Sequence, residues 1–335
     1  MKKRFISLLM SAVMVLGLAA CGRSTPAASS DVSASGDFSV STPDPGPVVN
    51  VMAISGPTGV GATKMMGDNP QYNFTLVAGN DAVAPALAKG EVDIACIATN
   101  LAATLYNRDI DITVLAANTL GVLYILEKGN TVTDVASLRG KTIYSMGQAA
   151  NPEYILDHVL TQNGLDPDKD VNIQFMTPQE VIAKMKQSSD GVCMLAVPAA
   201  TNLLVGDTGI RQALDLSAEW DKVSDSSLVM GCVVVRNDFM EQHPELVEQF
   251  MTDYEASIAY MSDPANLAEA AELVAQYGIT ANADIAAKAI PQCNLTFLTG
   301  EEMRGAIQAY FDILFTADPA SIGGGNPDDG FYYVP

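Results

Sequence analysis

The chain has 335 residues, which leaves about 290 for folding once an amino-terminal leader and tether are set aside, enough for two lobes of a readily folding core size. Its formal net charge is −21, so nucleic acid and anionic membrane surfaces are disfavoured as partners. Five Cys without a CxxC pair, and two His without a neighbouring ligand at metal spacing, argue against a metal site, and no cofactor is expected.

Lys2, Lys3 and Arg4 precede an apolar run from Phe5 to Ala20 that is too short for a spanning helix and reads as a secretion signal. Losing those three cations takes the net charge from −21 to −24. The run ends Leu18-Ala19-Ala20-Cys21-Gly22, which resembles the bacterial lipoprotein pattern: cleavage precedes Cys21, whose thiol carries diacylglycerol, a palmitate-type anchor. Residues 1–20 are thus read as the signal peptide. Residues 21–47, rich in Ser, Ala, Pro and Asp, are read as a flexible tether. The expected location is extracytoplasmic, at the outer face of the cytoplasmic membrane.

The stretch Val49 to Met66 organises the rest of the chain. Val49, Val51 and Ala53 share one face of a strand that stops at Ser55-Gly56-Pro57, and Thr58 can cap a helix carrying Val60, Ala62, Lys64 and Met65. Such a junction delivers a small loop and unpaired N–H groups to whatever lies in front of it. The Gly56 to Gly61 spacing is that of a phosphate loop, but Ala62 and Thr63 stand where Lys and Ser or Thr are needed, and Gly59-Val60-Gly61 lacks the third Gly of a dinucleotide fingerprint.

The same alternation continues. A strand from Tyr72 to Ala78 ends at Gly79-Asn80-Asp81 before a helix from Ala82 to Lys89. The apolar run Val92 to Ala98 ends at Thr99-Asn100 and feeds a helix through Tyr106, and a strand from Ile112 to Ala117 ends at Asn118-Thr119. After a strand from Gly121 to Glu127 the register restarts: strand Thr142 to Ser145, loop Gly147-Gln148, helix Pro152 to Asn163, strand Val171 to Phe175, helix Pro178 to Gln187, strand Val192 to Val197, Pro198 at a helix start, and strand Ile210 to Leu214. Leu228 to Val235 resumes an apolar strand. From Asn237 the chain reads as helical, with apolar spacing through Leu246, Phe250, Tyr254, Ile258 and Met261. The expected organisation is a first lobe from residues 48–118 and 231–317, a second from 119–230, and a tail over 318–335. That tail, with its Gly run and Phe331-Tyr332-Tyr333, is compatible with fraying or with an aromatic flap over a cleft; fraying is favoured. Cys96, Cys193 and Cys232 fall inside apolar strands, while Cys293 is free to enter a bridge. His158 and His243 are read as solvated or capping.

Three stretches carry a family resemblance: VDIACIAT followed by a helix, SLRGKTIYSMGQAANPEYILDHVLTQNGLDPDKDV, and VVVRNDFMEQHPELVEQFM. They resemble the solute-binding lipoproteins of ABC importers, in the group of nitrate, sulfonate and thiamine-pyrimidine binders, over Val49 to about Phe315. The resemblance implies an α/β, two-lobed type II periplasmic-binding-protein fold with mixed, mainly parallel sheets and a helical carboxyl-terminal part. It also implies hinge closure on a small solute, a permease and ATPase as partners, and a monomer. Carried over by position, the contact candidates are Ser55, Gly56, Thr58, Asn80, Thr99, Asn100, Asn118, Gly147, Gln148, Asn151 and Pro198. These loops hold hydroxyls and amides and almost no cations, which favours a neutral or zwitterionic solute, including a pyrimidine stacked on Tyr144, Tyr154 or Trp220.

Two rivals are distinguishable. An enzyme, for instance one like the fungal thiamine-pyrimidine synthases, would need clustered Cys and a substrate His, and the loops hold neither, so no catalytic residue is assigned. A surface receptor signalling to a membrane partner other than a permease would share the leader, the tether and the two-lobed pattern alike.

Overall fold

A computed structural model of the chain describes residues 47–335; the signal peptide, Cys21 and the tether up to residue 46 lie outside the described residues. Within the described residues, eleven strands form two sheets. The first holds β1 (Val49–Ile54), β2 (Tyr72–Val77), β3 (Ile94–Ala98), β4 (Ile112–Thr119), β10 (Gly231–Arg236) and β11 (Leu295–Leu298), in the order β11-β4-β10-β3-β1-β2. The second holds β5 (Leu123–Lys128), β6 (Thr142–Ser145), β7 (Asn172–Phe175), β8 (Gly191–Ala196) and β9 (Ile210–Asp215), in the order β7-β6-β8-β5-β9. β1 to β4 point one way with β10 and β11 against them, and β6 to β9 point one way with β5 against them.

Thirteen α-helices accompany them in the described residues: α1 (Pro57–Val60), α2 (Thr63–Asp68), α3 (Val83–Ala88), α4 (Thr99–Tyr106), α5 (Asn151–Gln162), α6 (Pro178–Gln187), α7 (Ala199–Gly206), α8 (Leu216–Asp221), α9 (Asn237–Gln242), α10 (Pro244–Ser262), α11 (Leu267–Gln276), α12 (Ala283–Ala289) and α13 (Gly300–Ala317). Helices cover the sheets, so β4 is buried along its whole length and β3 and β5 along all but one residue. That burial is why these strands read as unbroken apolar runs. On α10 the buried Leu246, Phe250, Tyr254, Ile258 and Met261 follow the helical period; the first four pack on the first sheet, and Met261 packs with α11 and α12. On α5 the buried Ile155, Leu156, Val159 and Leu160 do the same for the second.

The chain passes between the sheets twice, through residues 120–122 and 222–230, and the two crossings are tied together where Met230 N donates to Thr119 O at 3.0 Å. A neighbouring pair of short crossings, with a large sheet on either side, is the arrangement on which hinge motions turn.

Three local expectations fail. The single helix expected from Thr58 is two, because the chain turns at Gly61-Ala62; Gly56 occupies the cap position, Pro57 opens the first turn, and the Thr58 hydroxyl donates back to Ile54 O at 3.1 Å instead of capping. The carboxyl-terminal part contains a strand, β11, whose four residues are too few to show a period of two. The segment 318–335 neither frays nor covers a cleft: Ile322 and Phe331 are fully buried, the Phe331 ring meets Tyr106 at 5.1 Å, Asn107 Nδ2 donates to Ile322 O and Gly325 O at 2.7 Å, and Tyr333 N donates to Val114 O at 2.9 Å. Its aromatics complete the core that α4, α13 and β4 leave open.

Candidate functional site

The strands β1, β2, β3 and β4 of the first sheet and β6 and β8 of the second end around one hollow, and the loops that leave them line a cavity of about 330 Å³. From the first sheet come Ile54 to Thr58, Ala78 to Asn80, Ala98 and Thr119; from the second sheet and the two crossings come Val122, Leu123, Met146, Gly147, Ala150 to Pro152, Pro178, Ala196 to Ala199 and Met230. Carboxyl ends of strands converging on a crevice are the place where open α/β sheets hold ligands.

Seven of the eleven contact candidates line this cavity: Ser55, Gly56, Thr58, Asn80, Gly147, Asn151 and Pro198. Thr99, Asn100, Asn118 and Gln148 do not. Thr99 and Asn100 are buried at the start of α4, where Asn100 Nδ2 donates to Ser321 O at 3.2 Å. Asn118 Nδ2 donates to the Tyr254 hydroxyl at 3.0 Å, and Gln148 is exposed beside Gly147. The residue that replaces Asn118 in the lining is its neighbour Thr119, since successive side chains of a strand face opposite ways. The Thr119 hydroxyl is buried without a partner among the described residues. Ala98, Met146, Val197 and Met230 carry no chemical signature that a sequence reading could single out; their part in the lining follows from strand ends alone.

Two glycines shape the walls. Gly147 has φ +81, and a Cβ there would lie 2.5 Å from the Pro152 ring, so only glycine lets β6 turn into α5. At Gly231 a Cβ would meet Asn118 Oδ1 at 2.5 Å, Thr58 Cγ2 at 2.7 Å and Thr119 Cβ at 2.9 Å. That close approach lets β10 pass behind the cavity floor.

Asn151 joins the parts. It opens α5, is 2% exposed, donates from Nδ2 to Met230 O at 3.2 Å on the second crossing, and accepts from the Tyr310 hydroxyl of α13 at 3.0 Å. One side chain therefore links the second sheet's main helix to the second crossing and to the helix covering the first sheet.

The expected stacking aromatics are elsewhere. Trp220 is fully buried in the core, with Nε1 donating to Ser226 O at 2.8 Å and its ring 4.7 Å from His158. Tyr144 lines a separate hollow beside Lys141 and Asp190, and Tyr154 lies in a third. Among the described residues no aromatic side chain lines the cavity, and none of the lining residues is Lys, Arg, His, Asp or Glu.

Among the described residues no group of three or more His, Cys, Asp or Glu is placed to hold a metal ion. Cys293 enters no bridge; Cys96, Cys193, Cys232 and Cys293 are free and buried, and burial pushes the thiols of Cys96, Cys193 and Cys293 up to about 12. His158 is held below its usual range by burial, with Nε2 3.1 Å from the Ser224 hydroxyl.

Glu153 and Asp157 of α5 and Asp318 beyond α13 share the hollow that holds Tyr154. Burial, then Glu153 and Asp168, push the Asp157 carboxyl up to about 7. A carboxyl raised from 3.8 holds its proton in the folded state over a range where the unfolded chain has released it, so its contribution to stability falls as pH rises from about 4 to about 7. Asp157→Asn is therefore expected to match wild type near pH 4 and to be the more stable protein at pH 8, as urea midpoints would show. Parallel curves across that range would contradict this placement of Asp157.

The sequence profile of the family described as NMT1/THI5 like matches residues 73–268. No curated protein sequence matches the chain. Among solved structures, a protein from Parabacteroides distasonis described as an ABC transporter is 23% identical, with 85% of this chain and 98% of that chain covered and a TM-score of 0.73. The periplasmic aliphatic sulphonate binding protein SsuA from Escherichia coli is 14% identical, covering 86% of this chain and 92% of that one at a TM-score of 0.69. The periplasmic nitrate-binding protein NrtA from Synechocystis is 15% identical, covering 68% of this chain and 65% of that one at a TM-score of 0.52. The fold is that of the type II periplasmic binding proteins.

Proposed function

The chain belongs to the NMT1/THI5 like family, and on that premise we propose that it is the extracytoplasmic solute-binding protein of an ABC importer. The observation that carries this reading is the shared cavity: its walls come from both sheets, so a solute resting there touches loops on either side of the hinge. A ligand that contacts both sides only when they approach has more favourable contacts in the closed form, and that difference is what shifts the population. The closed form is what a membrane permease with its ATPase would recognise. The signal pattern ending at Cys21 supports anchoring by lipid to the outer face of the cytoplasmic membrane.

A catalytic role is not part of this reading. Among the described residues the cavity offers neither a nucleophile with an adjacent base nor an acid pair, and the buried thiols are poor nucleophiles. Similar proteins described as periplasmic sulphonate- and nitrate-binding support transport over chemistry.

Deleting the gene should abolish uptake of whichever solute saturates the purified chain, and wild type but not Cys21→Ser should restore both uptake and membrane retention. Undiminished uptake in the deletion strain would reject the importer assignment.

A further inference from the structure

The cavity is amphipathic in a particular direction. Its free polar side chains, Ser55, Asn80 and Thr119, all come from the first sheet's side, and Thr119 brings a buried hydroxyl without a partner among the described residues. The opposite wall is apolar, with Met146, Pro152 and Val197 prominent, and its one amide, Asn151, is already engaged by Met230 O and the Tyr310 hydroxyl.

Nothing in this lining answers a charge. Among the described residues no cationic or anionic side chain reaches it. Helix amino termini, the usual substitute for a cation, are blunted here: Pro57, Pro152 and Pro178 stand in the first turns of α1, α5 and α6, and Pro198 precedes α7, so four N–H groups that could face an anion do not exist. The remaining positive ends of α5 and α6 are occupied by the protein's own carboxylates. Glu153 accepts from Ala149 N, while Glu180 accepts from Thr177 N at 2.8 Å and closes a capping box in which Thr177 Oγ1 accepts from Glu180 N at 3.3 Å. Neither helix end therefore has its positive pole free for a solute anion, and the chain around it carries a net charge of −21. A zwitterion would leave both of its charges unpaired on partial burial.

We propose that the cleft selects an uncharged amphiphilic solute, with a neutral amide or alcohol head against Ser55, Asn80 and Thr119 and an apolar body against Met146, Pro152 and Val197, and that it rejects carboxylates, sulfonates and nitrate. This inference rests on the cleft being the solute site. It differs from that reading in what would defeat it.

Calorimetric titration of the full chain with matched pairs, alkyl amides against alkanoates of four, six and eight carbons and benzamide against benzoate, together with nitrate and butanesulfonate, separates the two. At least one amide should bind ten-fold or more tightly than its paired acid and than nitrate or butanesulfonate. A carboxylate, sulfonate or nitrate binding more tightly than every amide would overturn the inference and leave the receptor reading standing. Saturable binding by no member of either series would overturn the receptor reading and the inference with it. Ala78 is exposed at the cavity rim, so Ala78→Arg should fold and place a cation there. It is expected to shift the amide-to-acid preference toward the acid by ten-fold or more, and an unchanged preference would count against charge exclusion as the basis of selection.

Discussion

Asn151→Ala is expected to destabilise the protein by about 2–3 kcal/mol, because one truncation removes the acceptor of a fully buried tyrosine hydroxyl and a donor to the second crossing. Met230 O keeps a second donor in Thr99 N at 3.1 Å, so the larger part of the cost falls on Tyr310, whose hydroxyl has no other partner among the described residues. An orphaned buried donor costs more than the net value of the bond it made. Removing the donor as well should therefore recover part of the loss: Asn151→Ala with Tyr310→Phe is expected to be about 1 kcal/mol more stable than Asn151→Ala alone. Urea unfolding of the four proteins measures this directly. Additive losses in the double variant would mean that the Asn151–Tyr310 bond is not what fixes α5 against α13.

The second large effect is on binding. Ala199 begins α7, is half-buried and lines the second sheet's side of the cavity. An indole at that position would occupy much of a cavity of about 330 Å³ while its host site, at a helix start near solvent, accepts bulk. Ala199→Trp is expected to weaken the tightest-binding probe by 100-fold or more, about 2.7 kcal/mol, and to shift the unfolding free energy by less than about 1 kcal/mol. Retained affinity in a folded Ala199→Trp protein would place the solute outside this cavity.

How far the sequence foretells these residues depends on what physical signal each one carries. The strand and helix alternation is legible because β3, β4 and β5 are buried on both faces and must therefore be continuously apolar, and because polar Ser, Thr, Asn and Gly interrupt them at one end. The breaks after β1, β2, β6 and β8 likewise locate Ser55, Asn80, Gly147 and Pro198 near a common hollow. Choosing between Asn118 and Thr119 requires the register of β4 against β10, which no local pattern encodes, and the choice of Asn118 lands on the wrong face. β11 is set by pairing with β4 at two positions and has no periodicity of its own. Trp220 reads more readily as core than as a stacking platform, and packing against His158 and Tyr310 decides for core. The terminal aromatics are ambiguous for the same reason: a Gly-rich approach reads as mobile until Asn107 and Val114 are seen to hold it.

Prolines show the same dependence on context. Read one at a time, Pro57, Pro152, Pro178 and Pro198 are ordinary helix-start signals. Gathered around one cavity they become a statement about charge, because each removes a donor from the place where an anion would look for one.

Small-angle scattering of the full chain, with and without a saturating concentration of the tightest-binding probe, tests the hinge most directly. The radius of gyration should fall on saturation and stay unchanged in Ala199→Trp under the same conditions. Saturable binding with no change in the scattering curve would contradict closure of the two lobes on a shared solute.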